Sequence, residues 1–314
     1  MIQQNRRNFL KRASLLTGSA LFVTNQNILP QDTVPNVCSV GQVEVFINQY
    51  TVNTFYAREG INLKDNLDHC FTELKEAGLA GFEASVNQPD ELDRYIDALQ
   101  KQNMQLRSFY TGGNLHDETA AGVEIRRVIA LAERAKPAGT KVVVLNPQPK
   151  SGKSDAELDR QNQNLNILGA ELRKLGMKFA LHYHTSELEF AAREFHSFMC
   201  DTDPKNVSLC FDAHWSFRAS NNSAVSAYSH AKLYADRIAE VHLRQSQGGV
   251  WTETFVAKAD IDYGKTLAIL RQSKDFDDCL FVLEQAPENG TPKTRKPIDI
   301  FRQSVETVKK LYEM

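Results

Sequence analysis

Short apolar segments alternate with longer amphipathic segments along most of the chain, and this alternation constrains the fold more than any other feature. Eight apolar segments have the composition of buried parallel strands: 43–47, 79–84, 105–110, 141–145, the first residues of 178–190, 207–211, 238–241 and 279–283. The segments between them place apolar residues at helical spacing, and no Gly-x-Gly-x-x-Gly fingerprint is present. The pattern predicts an α/β fold that is a single (β/α)8 barrel rather than a doubly wound sheet.

The composition and charge exclude several classes of protein. The chain has 314 residues, 42% of them hydrophobic, which is sufficient for one barrel with a substantial core. Its formal net charge is −2, so no overall positive field attracts nucleic acid, and we expect no nucleic-acid partner. The five cysteines show no Cys-x-x-Cys spacing, which disfavours a zinc ribbon or a disulfide framework.

The amino-terminal residues resemble an export signal. Asn-Arg-Arg-Asn-Phe-Leu-Lys at 5–11 precedes a mildly apolar run, an arrangement similar to a twin-arginine signal. Asn5 stands where Ser or Thr is usual, and no clear Ala-x-Ala precedes the linker. We expect residues 1–30 to be the signal segment, 31–41 a linker and 42–314 the barrel. The resemblance implies a periplasmic or otherwise exported protein that engages the twin-arginine export machinery; a basic amphipathic helix is the alternative.

Residues of metal-ligand type stand where four of the predicted strands end. They are His182, Asp212, His242 and Glu284. A satisfied buried polar group explains any one of them alone, but the carboxyl ends of barrel strands meet at one mouth, so together they indicate a site. His184 follows His182 by two residues, so we expect both imidazoles on the same face of the strand. Imidazole and carboxylate without thiolate suit one divalent ion, Mn, Zn, Co or Fe, with Mn or Zn favoured, in an open catalytic site.

A divalent ion at a barrel mouth suggests a class of reaction. The ion can chelate a carbonyl and a neighbouring hydroxyl of a sugar and so acidify the C–H bond between them. A positioned base then removes the proton, and the ion stabilises the resulting enediolate. Reprotonation gives epimerisation or isomerisation, whereas loss of a β-substituent gives dehydration or lyase cleavage.

The strand-end motifs, taken in their order and spacing, are similar to those of a known family. They are His-Tyr-His at 182–184 with Glu187 and Glu189, Asp-Ala-His-Trp at 212–215, His-Leu-Arg at 242–244, Asp-Ile-Asp-Tyr at 260–263 and Glu-Gln at 284–285. From about residue 43 to the C-terminus the chain resembles the xylose isomerase-like barrel superfamily, usually labelled sugar phosphate isomerase/epimerase. It resembles most the branch with His-x-His on strand five, and inosose dehydratase is a nearby relative.

The resemblance implies roles for the residues around the predicted metal. Asp212, His242 and Glu284 would be metal ligands. His182 stands where many members place a glutamate ligand, and His184 would contact the substrate or act as an acid or base.

Further catalytic and substrate-binding residues are implied outside the ligand set. Glu83 on strand two is a candidate substrate-contacting or ligating acid, although a carboxylate in a barrel layer explains it equally. Arg244 would bind a substrate oxygen, with a surface salt bridge as the alternative. The substrate-binding candidates are Trp215, His214, Asn146 and Trp251. Trp251 lies on the long loop 245–260, which we expect to cover the mouth; for Trp215, a place in the core is an equal explanation.

Two departures from the family pattern limit this transfer of roles. Arg244-Gln245 stands where Lys-Asp is common, and Asn146 ends strand four where several relatives carry a glutamate, so a second acid or base is not assigned. No glycine-rich phosphate cradle lies near the last two strands. The substrate is therefore expected to be an unphosphorylated sugar, keto-sugar or cyclitol.

The sequence thus favours a metal-dependent isomerase or epimerase acting on an unphosphorylated sugar or keto-sugar. A dehydratase or lyase acting on a 3-keto sugar or inosose would use the same first proton abstraction. Phosphodiester cleavage, as in endonuclease IV, which shares the barrel, is disfavoured by the charge balance and the export signal. A non-catalytic carbohydrate-binding barrel stays open because of Asn146.

Overall fold

Eight parallel strands close into a barrel in the computed structural model, which describes residues 43–314. The barrel strands are β1 (Val45–Asn48), β2 (Gly81–Ser85), β3 (Ser108–Gly113), β4 (Val142–Pro147), β5 (Lys178–Leu181), β6 (Ser208–Asp212), β7 (Ile238–Leu243) and β10 (Leu280–Leu283). Strand β1 pairs with β2 on one side and with β10 on the other, which closes the ring. The predicted (β/α)8 barrel is confirmed. Between β7 and β10, β8 (Ser246–Gln247) and β9 (Val250–Trp251) form a separate antiparallel hairpin.

Helices surround the barrel and connect its strands. They are α1 (Gln49–Ala57), α2 (Leu67–Glu76), α3 (Pro89–Lys101), α4 (Ala121–Ala135), α5 (Asp155–Lys174), α6 (Glu189–Cys200), α7 (Ala213–Ala219), α8 (Ala224–Tyr234), α9 (Tyr263–Leu270) and α10 (Pro297–Glu313). Local sequence explains several starts: Ser154 and Glu157 form a capping box at α5, and a proline begins α3 and α10. The apolar stripes of these helices pack on the outer face of the sheet and form the main core.

The predicted signal segment and linker, 1–30 and 31–41, lie outside the described residues. Within 43–314, no helix combines the length and the apolar character that crossing a membrane requires.

Several elements differ from their predicted positions. Strands β1 and β2 begin two residues later than predicted, and helix α1 follows β1 directly. The Asn48 side chain makes this possible, because it accepts a hydrogen bond from the Tyr50 backbone N–H at 2.7 Å and so caps the new helix. Strand β3 begins three residues later than predicted, at Ser108, and reaches Gly113 at the barrel mouth.

The two-residue period of the strands divides the barrel interior into layers. The inward apolar positions, together called the apolar layer, are Val142 and Val144, which follow one another on the inner face of β4, with Ala180, Cys210 and Ala239. The next inward position of the same strand carries a polar group: His182 follows Ala180 from β5, and Asp212 follows Cys210 on β6. The strands thus bury apolar side chains in the barrel and then present polar side chains at its C-terminal mouth.

A glycine in α5 allows a close contact between this helix and the chain that leads into β6. A Cβ atom on Gly169 would lie 2.1 Å from the Asn206 carbonyl oxygen, which is too close for any real contact. Gly122 in α4 is a suitable comparison, because its Cβ would meet nothing nearer than the flexible end of Arg126, at 3.6 Å.

We expect Gly169→Ala to lower the free energy of unfolding by about 1–3 kcal/mol, because backbone must move to relieve the overlap. The control Gly122→Ala should be neutral or stabilising by up to about 1 kcal/mol, because alanine favours helix. Urea denaturation of both variants measures the difference. Equal changes in the two would show that α5 does not pack this closely.

Candidate metal centre

Four side chains of metal-ligand type meet at the C-terminal mouth of the barrel. They are His182, directly after β5; Asp212, the last residue of β6; His242, within β7; and Glu284, directly after β10. One nitrogen or oxygen atom from each lies within 4.8 Å of the others, and all four residues are buried. The structure therefore brings together the four residues that the sequence pattern selected as metal ligands.

One atom of each residue faces the others without a hydrogen-bond partner among residues 43–314. These atoms are His182 Nε2, Asp212 Oδ2, His242 Nδ1 and Glu284 Oε2. Buried polar atoms that lack partners are costly, and a cluster of four points to something that binds them together. Two imidazole nitrogens and two carboxylate oxygens fit a divalent transition metal ion.

The remaining atoms of two ligand residues are already engaged by the protein. The Oδ1 atom of Asp212 accepts hydrogen bonds from the backbone N–H groups of His214, at 2.7 Å, and Trp215, at 3.2 Å, at the start of α7. The Nδ1 atom of His182 lies 3.4 Å from both Asn146 Oδ1 and the Tyr110 hydroxyl. These contacts leave Oδ2 and Nε2 directed at the cluster, as an oriented metal site requires.

Arg244 compensates the charge of Glu284 on the cavity side of the cluster. Its Nη2 atom is 2.7 Å from Glu284 Oε2, an ion pair without hydrogen-bond geometry, and its Nε donates to the Glu284 carbonyl at 2.9 Å. Burial opposes ionisation of the Glu284 carboxyl, but Arg244 and His242 outweigh it and hold its pKa well below the usual value. The guanidinium is only 1% exposed, which rules out the surface salt bridge considered as an alternative.

A cavity of about 520 Å³ opens beside the cluster, a volume within the usual range for small-molecule sites. It is lined by Asn48, Tyr50, Ser85, Val86, Asn87, Tyr110, Thr111, Gly112, His184, Trp215, Arg244, Trp251 and Glu284. Trp215 and Trp251 make part of this lining aromatic. The Arg244 guanidinium lies over both rings, 4.2 Å from the Trp251 centroid and 5.3 Å from the Trp215 centroid. Asn48, Ser85, Asn87 and Thr111 add polar groups to the lining. Such a surface matches a sugar, which has apolar faces and polar edges.

His184 lies in the cavity wall, close to His182. Their ring centroids are 4.8 Å apart, and the His184 backbone N–H is held by Glu187 Oε2 at 2.7 Å. Burial, with a smaller contribution from His182, lowers the pKa of His184 to about 3. The imidazole is therefore neutral at physiological pH and has a lone pair that can accept a proton.

Five of the site residues selected from sequence line the cavity, and three others lie behind its wall. His184, Trp215, Arg244, Trp251 and Glu284 line it. Asn146 faces His182 instead, and His214 receives a hydrogen bond from Trp251 Nε1 at 3.3 Å. Because inward side chains of successive layers stack below one another, Glu83 lies under His242 rather than in the cavity. The placements of Asn146, His214 and Glu83 thus correct the expectation that these side chains reach the cavity.

The predicted mouth-covering loop has two distinct parts. Hairpin β8–β9 places Trp251 in the cavity wall. Glu253 points elsewhere, because it accepts a hydrogen bond from the Thr294 backbone N–H at 2.9 Å.

Two groups of residues that sequence reasoning did not select also belong to the site. Asn48, Tyr50 and Tyr110 line the cavity, and each stands at or beside the end of a predicted strand, which was the available signal. Glu240 lies beneath the cluster, with Oε1 3.0 Å from His242 Nε2. Burial, with a contribution from the neighbouring Glu83 carboxylate, raises the pKa of Glu240 to about 8. A carboxyl two residues before His242 in an apolar strand was the signal for it.

The chain is thus a (β/α)8 barrel with a buried cluster of imidazoles and carboxylates, which could hold a metal ion, at its C-terminal mouth. The chain belongs to the xylose isomerase-like TIM barrel family, whose sequence profile matches residues 71–311. The resemblance drawn from the strand-end motifs is confirmed.

Known relatives are similar to this chain in sequence or in fold. Inosose dehydratase of Clostridium perfringens (strain 13 / Type A) is 26% identical over 196 residues, which cover 58% of this chain and 64% of that protein, less than two thirds of its length. A sugar phosphate isomerase/epimerase from Parabacteroides distasonis ATCC 8503 superposes with a TM-score of 0.66 at 13% identity, over 90% of this chain and 98% of that chain. D-allulose 3-epimerase from Methylomonas sp., solved in complex with D-allulose, superposes with a TM-score of 0.65 at 14% identity, over 86% of this chain and 98% of that chain. Both solved structures share the barrel fold of this chain.

Arg244→Gln should destabilise the metal-free protein by about 3–5 kcal/mol, because it leaves the buried Glu284 carboxylate without its cation. Arg218→Gln is a matched control, since Arg218 lies 4.5 Å from the centroid of the Trp251 ring and pairs with Glu288, but is only half-buried. That change should cost about 1 kcal/mol or less. Chemical denaturation in the presence of a chelator measures both. A similar loss in the two variants would contradict the assignment of Arg244 as the counter-charge of Glu284.

Proposed function

We propose that this protein is a metal-dependent isomerase or epimerase that acts on an unphosphorylated sugar or keto-sugar. The observation that carries the proposal is the convergence of four buried, unpartnered ligand atoms beside an open cavity with a neutral imidazole in its wall. Likeness to sugar epimerases in fold, and to inosose dehydratase in sequence, supports the same class of chemistry.

The proposed metal site uses His182, Asp212, His242 and Glu284 as ligands. Two imidazoles and two carboxylates, without thiolate, favour Mn or Zn among Mn, Zn, Co and Fe. A divalent ion bound there would supply Lewis-acid polarisation of the substrate carbonyl.

The protein's own residues supply the remaining chemistry. His184 is positioned to accept the proton from the carbon next to the carbonyl, and the negative charge that develops on the substrate favours the protonated ring. Arg244 Nη1 is buried and has no hydrogen-bond partner in the described part of the chain, so it is available to donate to a substrate oxygen. The rings of Trp215 and Trp251 offer apolar surface to the face of a sugar and exclude water from one side.

The fate of the enediolate separates the two candidate reactions. Return of the proton to another face or carbon gives epimerisation or isomerisation. A dehydratase or lyase acting on a 3-keto sugar or inosose is the second candidate, favoured by the likeness to inosose dehydratase. Both share the first proton abstraction, so product analysis distinguishes them.

We expect the purified protein to bind one divalent ion per chain and His182→Gln to lose it. Saturation at about 100 times the dissociation constant should stabilise the wild type by about 2.7 kcal/mol, because the ion binds only the folded state. His116→Gln is a matched control, a buried histidine that belongs neither to the cluster nor to the cavity lining. Elemental analysis and thermal unfolding with Mn, Zn or Co provide the measurement. If no metal binds, the non-catalytic carbohydrate-binding barrel becomes the better explanation.

His184→Gln should slow exchange of a carbon-bound substrate proton with deuterated water by about 100-fold or more, while metal binding is retained, because only the base is removed. The substrates are a panel of unphosphorylated sugars, keto-sugars and inososes, with sugar phosphates for comparison. His69→Gln, at an exposed histidine of α2, is the control and should react as the wild type does. NMR detects the exchange and identifies the product as an epimer, an isomer or a dehydrated compound. Unchanged exchange in His184→Gln would assign the base elsewhere.

A further inference from the structure

Two carboxyl groups lie beneath the ligand cluster and have no part in the proposed reaction. Glu83 from β2 and Glu240 from β7 are both completely buried, and neither lines the cavity. Each approaches the same atom, His242 Nε2: Glu240 Oε1 at 3.0 Å and Glu83 Oε2 at 3.2 Å. Two buried carboxyls on one imidazole nitrogen are costly unless they serve that imidazole.

The positions of these carboxyls determine which nitrogen of His242 can bind a metal. Nε2 faces one oxygen of each carboxyl, and a proton on Glu240 would still leave an acceptor oxygen, so Nε2 carries the ring hydrogen and donates it. The lone pair then belongs to Nδ1, which lies 3.4 Å from Glu284 Oε2 on the cluster side. In the other tautomer, with the hydrogen on Nδ1, the lone pair would face the carboxyls and the hydrogen would face the metal site. The carboxyls therefore oppose the tautomer that cannot bind metal.

The two carboxyls are not equivalent. Glu240 has full hydrogen-bond geometry with His242 Nε2, whereas Glu83 Oε2 also receives a hydrogen bond from the Asn48 side-chain amide. Asn48 in turn accepts from the Tyr50 backbone N–H at 2.7 Å, and both Asn48 and Tyr50 line the cavity. Glu240 is thus the direct partner of His242, and Glu83 connects that partner pair to the cavity wall.

We propose that Glu240, assisted by Glu83, is the positioning residue that fixes the Nε2–H form of His242 and so strengthens metal binding through Nδ1. The inference rests on the proposed function, since it requires a metal at the cluster. An outer carboxylate of this kind orients a ligating imidazole and makes it a stronger donor, and its loss typically weakens metal binding by about 10–100-fold.

A second metal ion is the competing explanation for the same residues. Cys210, Glu240 and His242 also place one ligand-type atom each within 4.8 Å of one another. An ion there would use Nε2 of His242 and would displace its hydrogen bond to Glu240. The distance of 3.9 Å between Cys210 Sγ and Glu240 Oε1 is that of a weak thiol contact, and Cys210 belongs to the apolar layer. The geometry favours the hydrogen-bonded interpretation.

The experiment measures metal affinity by chelator competition in the full-length protein, with Mn or Zn as the probe. We expect Glu240→Gln to bind about 10–100-fold more weakly than the wild type and Glu83→Gln to show a smaller loss. Glu194→Gln is the matched control, a buried glutamate that pairs with Lys153 at 2.5 Å, and it should bind as the wild type does. Denaturation in chelator verifies that each variant folds, and Glu240→Asp, which keeps a carboxyl group, should recover part of the affinity.

The wild type supplies an independent readout that does not depend on the folding of a variant. Its eight histidines can be labelled with ¹⁵N, and the zinc-loaded protein should show the Nε2–H form of His242. An Nδ1–H form, or unchanged affinity in Glu240→Gln, would overturn the inference and leave the proposed function standing. A second bound equivalent that disappears in Cys210→Ser would overturn it in favour of a second metal site. If the wild type binds no metal, the proposed function and this inference fail together.

Discussion

The convergence of four lone pairs at the barrel mouth is the constraint on which the rest of the site depends. His182, Asp212, His242 and Glu284 each direct one atom without a hydrogen-bond partner at a common point, and the protein engages the other polar side-chain atom of His182, Asp212 and His242. Strand geometry produces this arrangement, because inward positions recur every two residues and the C-terminal ends of parallel strands share one mouth. The apolar layer below makes the arrangement rigid, since close-packed strands cannot shift separately.

Charge compensation explains why so many ionisable groups are buried around this point. A bound divalent cation would balance the two ligand carboxylates, while Arg244 already pairs with Glu284 on the cavity side and His242 lies over Glu83 and Glu240 on the core side. The cluster is therefore enclosed by a guanidinium facing the substrate and by carboxyls facing the core. This arrangement keeps a positive group where an oxygen-rich substrate would lie and carboxyl groups behind the imidazole ligand.

The barrel and the ligand cluster were readable from sequence because both follow from periodicity. Apolar runs marked the strands, and a polar residue at the end of each run marked the mouth. Helix α1 was not readable, because its start depends on the Asn48 cap and its sequence has only a weak apolar stripe. The contacts of Glu83 and Asn146 were out of reach for another reason: inward-facing residues at similar strand positions lie in different layers, and only the stagger of the barrel decides which layer meets the cavity. Glu240 was hidden within an apolar run, where one carboxyl has little effect on the pattern.

The imidazole of His182 changes the net charge of the ligand set, because many family members are expected to carry a glutamate at this position. It removes one negative charge from the ligand set, which makes a bound divalent ion more electrophilic. It also removes a carboxylate that could act as a base, which leaves His184 and Glu284 as the two groups of the cavity wall that could take up a proton. We propose His184 for this role, because its imidazole is neutral, lies in the cavity wall and is only 4.8 Å from His182 between ring centroids. In the proposed reaction the His-x-His pair thus divides the tasks of ligand and base between two residues of the same strand end.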